Sequence, residues 1–117
     1  MYIQSEKHRT PGGRYSLLYA DMADQTHLLI AGRTGSGKSV VVNGIIHSLL
    51  IGRLCSEEQL ILIDPKRVEL SMWKNTPHCI GYASDNPVDR LQALNLAISI
   101  IEKRYAQMER DGVKRYA

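Results

Sequence analysis

A chain of 117 residues, 44% hydrophobic and 23% charged, holds one globular domain at most and is neither disordered nor low in complexity. Its net charge of +3 is too small to imply a nucleic-acid partner by itself. The polar first residues exclude a signal peptide and no apolar run nears the ~20 residues of a membrane span, so the segment reads as soluble and cytoplasmic.

In chain order, residues 1–20 form a lead-in segment. Thr10-Pro11-Gly12-Gly13 marks a turn or loop, and Arg14 to Ala20 alternates weakly, as an edge strand or hairpin arm does. His27 to Ala31 is a short apolar run stopped by Gly32, which predicts a buried strand. Apolar residues at 41, 42, 45, 46, 49 and 50 predict a helix over Lys38 to Ile51, ended by Gly52. Leu60 to Ile63 is continuous in Ile and Leu and closed by Asp64-Pro65, the pattern of an interior parallel strand. Val68 to Trp73 suits one or two helical turns, and His78 to Ala83 a third short strand. A long helix follows. Asp85 or Asn86 caps it, Pro87 fits its first turn, and Gly112 ends it. Val88, Leu91, Leu94, Ile98, Ile101, Tyr105 and Met108 mark one apolar face. Strands alternating with helices indicate an α/β fold with a parallel sheet flanked by helices.

Gly32-Arg33-Thr34-Gly35-Ser36-Gly37-Lys38-Ser39 matches the P-loop pattern in full. A triphosphate crowds many anionic oxygens into a small volume, so the loop must wrap closely with backbone N–H groups turned inward. Gly32, Gly35 and Gly37 permit that approach. The amides that follow open a helix, whose N-terminal partial charge favours phosphate. In this pattern Lys38 reaches the β- and γ-phosphates and is the catalytic candidate, while the Ser39 hydroxyl takes Mg²⁺. The expected cofactors are ATP and Mg²⁺, held by residues 32–39.

Asp64 ends an apolar run as a Walker B aspartate does, where it would hold the Mg²⁺ water. It is a candidate nucleotide-pocket residue, and a structural carboxylate is the equal alternative. Hydrolysing P-loop motors usually follow that aspartate with a glutamate; here Pro65 follows. Glu57-Glu58 precede the strand, at its opposite end. No other apolar run ends in an acidic pair, so the general base is absent from this stretch.

Residues 32–43 (Gly-Arg-Thr-Gly-Ser-Gly-Lys-Ser-Val-Val-Val-Asn) resemble the P-loop of the FtsK/SpoIIIE family of DNA translocases, Asn43 included. Ile63-Asp64-Pro65-Lys66 with Glu69-Leu70-Ser71, then Pro77-His78, is similar to a second signature of that family. Glu102-Lys103-Arg104-Tyr105, Met108 and Gly112-Val113-Lys114-Arg115 resemble its third. Arg33 and Val41 depart from the common Thr and Gly, and neither removes a phosphate ligand. The resemblance covers roughly Leu18 to Ala117. It implies a RecA-like motor that forms a hexameric ring around double-stranded DNA and serves chromosome partition, cell division or mobile-element transfer. Residues 21–117 then correspond to the N-terminal part of such an ATPase domain. The Walker B Asp-Glu pair and later strands lie beyond this stretch, which implies no hydrolysis by the stretch alone. Family members are often membrane-anchored upstream.

Three other readings compete. One is a conjugation- or secretion-type ATPase. Another is a non-hydrolysing module that uses ATP only for assembly. The third, a metabolic P-loop kinase, lacks any match to an acceptor site or lid. Lys103, Arg104, Arg110, Lys114 and Arg115 alternate with Glu102, Glu109 and Asp111, which favours a solvated helix face over a DNA contact. Lys66 and Glu69 are weaker candidates for the pocket or a subunit interface. Trp73 reads as core, and the four histidines show no ligand spacing. Cys55 and Cys79 read as reduced thiols.

Overall fold

The computed structural model describes residues 2–9, 15–22 and 24–115, with backbone alone for those up to residue 20. The chain forms two compact units, residues 1–53 and 54–117.

In the first unit, β1 (Tyr2–Arg9) and β2 (Tyr15–Asp21) pair antiparallel, Tyr2 opposite Asp21 and Arg9 opposite Tyr15, with a register irregularity between Ser5 and His8. The expected hairpin arm is therefore present, one residue further on. The turn signal at Thr10–Gly13 lies outside the described residues. Helix α1 (Lys38–Leu50) begins where expected, with Ile46 buried on its apolar stripe. It ends at Ile51, whose N–H donates to the His47 carbonyl, and Gly52 then takes a left-handed φ of 70°.

The run His27–Ala31 is not a strand. It follows an irregular path, and Leu29 is 90% exposed. An extended segment becomes a strand only by sharing a hydrogen-bond ladder, and no described strand pairs with it. The apolar run signals a tendency to be buried in a sheet, not a sheet in place.

In the second unit, β3 (Leu60–Ile63) and β4 (Cys79–Ala83) pair parallel, with Ile63 opposite Ala83. Leu60 N–H donates to His78 O and Asp64 N–H to Ala83 O, both at 2.8 Å, closing the ladder at its two ends. The helical turns expected over Val68–Trp73 shrink to one 3₁₀ turn, Ser71–Trp73. The carboxylate of Asp64 reaches into this stretch and binds the N–H groups of Glu69 and Leu70, which breaks a continuous helix. Trp73 is half-buried and Met72 exposed.

Helix α2 (Pro87–Asp111) covers the parallel pair. Asn86, not Asp85, is its cap: the Asn86 carboxamide accepts from Val88 N–H at 2.9 Å. Gly112 ends it at φ 65° and donates to Glu109 and Met108 carbonyls, the left-handed stop that glycine adopts without a Cβ penalty. Its packing face is not the expected one. Ala93 is buried and Leu96, Ala97 and Ile100 are half-buried, whereas Leu91, Leu94, Ile98, Ile101 and Tyr105 are 47–60% exposed. The helix is apolar on two faces. The face with the smaller side chains goes inward because Gly81 and the buried Ala83 of β4 leave room only for a close approach.

A Cβ on Gly81 would stand 3.3 Å from Leu96 Cδ2 and 3.5 Å from Ile61 Cγ2. Gly81→Val is therefore expected to push α2 off the sheet and lower stability by about 1–3 kcal/mol. Urea unfolding checks this. A variant as stable as the parent would mean that α2 does not rest on Gly81.

Candidate phosphate-binding loop and the loop after β3

The Gly32–Ser39 loop is built by glycine geometry. Ser36 N–H donates to Arg33 O at 3.1 Å, closing a turn over Arg33, Thr34, Gly35 and Ser36. Gly35 sits at φ 82° and Gly37 at φ 88°, backbone that a side chain strains. A Cβ on Gly32 would fall inside the contact distance of the Ser36 hydroxyl, which would have to rotate away.

Gly37 is also the cap residue of α1, and it offers no side chain to the helix's first amides. The first helical turn contains no acidic residue. Four N–H groups begin every helix without an internal partner. Here they face no carboxylate from the first turn, so the positive end of the helix remains available to an anion, a preference of about 0.3–1 kcal/mol and more when partly buried. Lys38 and Ser39 start the helix half-buried, while Arg33 to Gly37 are exposed. The Asn43 carboxamide donates to the Ser39 carbonyl at 2.9 Å and steadies the turn that carries the Ser39 hydroxyl. Thus the structure gathers all eight predicted loop residues into one curl against a helix start.

The donor set suits Mg²⁺ delivered with a nucleotide. The described residues hold no cluster of three or more metal-ligating side chains. Mg²⁺ commonly takes one or two protein oxygens and fills its octahedron with phosphate oxygens and water. One hydroxyl, that of Ser39 at the start of α1, would meet that need.

Asp64 belongs to the other unit, 54–117. It is 3% exposed, and its Oδ2 accepts from Glu69 N–H at 3.0 Å and Leu70 N–H at 2.9 Å. Its own carbonyl accepts from Arg67 N–H at 3.1 Å. The carboxylate therefore holds the loop 65–70 onto the C-terminal end of β3. Lys66 and Glu69 in that loop pair with each other at 3.5 Å.

Sequence reasoning missed Arg67 and misplaced Asp85. Among the described residues, Arg67 is the non-glycine residue with positive φ, 67°, a conformation costing on the order of 1 kcal/mol. Its guanidinium pairs with the Asp85 carboxylate. Arg90 adds a hydrogen bond to the Asp85 carbonyl at 3.0 Å. This clamp ties the loop after β3 to the one after β4. The hint was two opposite charges just past two successive strands.

The Asp85 carboxyl is held below the ordinary aspartate range, first by its own backbone N–H, then by Ser84 and Arg67, against some desolvation. A lowered folded-state value adds stability above the unfolded value and loses it as pH falls through the folded one. Asp85→Asn is expected to remove that acid-side dependence, read as a flatter loss of stability below the usual carboxylate range. Persistence of the full dependence in the variant would assign it to other carboxylates. At Tyr82, partial desolvation and then the Asp64 charge raise the phenol above its usual value.

The basic residues Lys103, Arg104, Arg110, Lys114 and Arg115 are exposed, as a solvated face requires. Cys55 and Cys79 are free thiols. No helix among the described residues is long and apolar enough to cross a membrane.

The sequence profile of the FtsK/SpoIIIE family matches residues 4–117. A DNA translocase FtsK of Lactococcus lactis subsp. cremoris is 43% identical over 97 residues, which is 83% of this chain and 13% of that relative. A DNA translocase FtsK of Rickettsia bellii is 44% identical over 100 residues, 86% of this chain and 13% of the relative. DNA translocase FtsK 1 of Neisseria meningitidis serogroup A is 44% identical over 94 residues, 80% and 12%. The chain spans about an eighth of the length of these relatives.

Proposed function

The chain belongs to the FtsK/SpoIIIE family, a family of P-loop NTPases, and from that premise we propose that it is the ATP-binding part of an ATP-driven double-stranded DNA translocase. The observation that carries the reading is the glycine-built curl of residues 32–39 against an uncapped helix start. That these relatives are DNA translocases supports the DNA-moving role. In this reading the β3–β4 pair belongs to a RecA-like sheet, and the motor works as a hexameric ring around DNA in the cytoplasm.

The roles follow from the residues. Backbone N–H groups of Gly35 and of Gly37 to Ser39 bind the phosphate chain. Lys38 neutralises charge on the terminal phosphates, and the Ser39 hydroxyl supplies one metal ligand. Mg²⁺ held by Ser39 would supply charge neutralisation to the bound phosphates. Pro65 after Asp64 leaves no carboxylate beside it to orient an attacking water. Asp64 itself is engaged with the loop 65–70. The chain therefore binds nucleotide without hydrolysing it.

A titration with ATP, ADP and AMP in Mg²⁺ tests the phosphate-centred reading. The loop recognises the distal phosphates, so ATP and ADP are expected to bind at least about tenfold more tightly than AMP, the loss of one or more charge-assisted contacts. Equal affinity for all three would contradict a phosphate-binding loop.

A further inference from the structure

We infer that the side chain of Arg33 reads the terminal phosphate of the bound nucleotide and makes the loop selective for a triphosphate over a diphosphate. This role rests on the phosphate-binding reading of residues 32–39, and adds to it a guanidinium that the P-loop pattern does not require. Arg33 stands at the start of the curl. Its carbonyl accepts from Ser36 N–H at 3.1 Å, which closes a turn and fixes the backbone from which the side chain leaves. The ends of such a turn lie within about 7 Å of each other, a span comparable with the reach of an arginine side chain. Arg33 is exposed, and among the described residues its guanidinium has no ion-pair or hydrogen-bond partner. Arg67 and Arg90 differ in this respect, since both are committed to Asp85.

Between Asp24 and Glu57 the chain contains no acidic residue. Lys38 and Arg33 are the two cations of the loop, and no carboxylate close in sequence competes with an anionic ligand for them. The two cations serve different parts of a phosphate chain. The amides that open α1 cradle the α- and β-phosphates, and Lys38 reaches the β- and γ-phosphates. The terminal phosphate then extends away from the helix start, toward the Arg33–Ser36 turn. A planar guanidinium offers paired N–H donors that match two oxygens of one phosphate. A diphosphate, seated by the same amides and Lys38, ends short of it. Loss of the Arg33 side chain therefore weakens ATP and spares ADP, whereas loss of the Lys38 side chain weakens both.

Calorimetric titrations of the whole chain with Mg²⁺-ATP and with Mg²⁺-ADP test this on Arg33→Thr and Arg33→Lys. The turn is closed by backbone groups, so both variants should keep the fold, which circular dichroism checks. Arg33→Thr is expected to weaken ATP binding about fivefold or more at low salt, and ADP binding less than about twofold. Added salt should narrow the gap between variant and parent, because the contact is exposed. Arg33→Lys should keep part of the ATP preference, through charge without the paired donors. Inorganic tripolyphosphate and pyrophosphate, used as competitors, should show the same split, since the group read is a phosphate and not the nucleoside. Equal losses for ATP and ADP in Arg33→Thr, or no loss for either, overturn the role of Arg33 and leave the loop a phosphate site. A parent chain that binds neither nucleotide overturns the phosphate-binding reading itself, and this role with it.

Discussion

Lys38→Ala is expected to weaken Mg²⁺-ATP binding by about 2–5 kcal/mol, roughly 30-fold or more, while leaving the fold intact. Lys38 is the first residue of α1 and is half-buried beside the curl of three glycines. A bound phosphate chain would bring several negative charges to that place, and the Lys38 ammonium on its flexible stem would answer them. Removing it strips a charge partner from a partly desolvated anion. Alanine has the best helix propensity, so α1 itself should lose nothing. A thermal melt alongside the titration separates the two effects. Lys38→Arg should recover binding only in part, because a planar guanidinium does not replace a compact ammonium inside a tight curl. Unchanged affinity in Lys38→Ala would mean that the glycine curl is a structural turn.

Asp64→Ala is expected to destabilise the chain by about 2–4 kcal/mol in urea unfolding. Two N–H groups, of Glu69 and Leu70, lose their shared acceptor at a position that is 3% exposed. Each buried donor left unsatisfied costs about 1–3 kcal/mol, and relaxation of the loop recovers part of the sum. The same loop holds Arg67 at positive φ and aligns it with Asp85, so its release frees that strained residue and the clamp together. Asp64→Asn keeps an oxygen in reach of both amides and should cost about 1 kcal/mol. A difference of less than about 0.5 kcal/mol between Asp64→Ala and the parent would place those amides in water, against their hydrogen bonds to the buried Asp64 carboxylate.

The loop was legible in the sequence because its chemistry is local. Three glycines at fixed offsets, a lysine and a serine specify a curl and a helix start with no help from distant residues. The caps of α2 were legible for the same reason, since Asn86-Pro87 and Gly112 act within one turn. What failed were the statements that depend on neighbours. His27–Ala31 reads as a strand by its apolar run, yet a ladder partner decides strands, and none is present among the described residues. The long helix shows two apolar stripes, and the one marked from its spacing, Leu91 to Met108, is not the one that packs on the sheet. Gly81 and Ala83 on the opposing strand, not the helix, select the face with Ala93. Asp64 had two readings of equal weight, and only its contacts with the Glu69 and Leu70 amides display the structural one.

Calorimetric titration of the chain with ATP and Mg²⁺, with phosphate release followed in the same samples, reads nucleotide binding by residues 32–39 and hydrolysis together. Saturable binding at one site is expected, abolished or strongly weakened in Lys38→Ala, with no phosphate release from either protein. Absence of binding in the parent chain would contradict the phosphate-loop assignment, and phosphate release that depends on Lys38 would contradict the absence of a catalytic base.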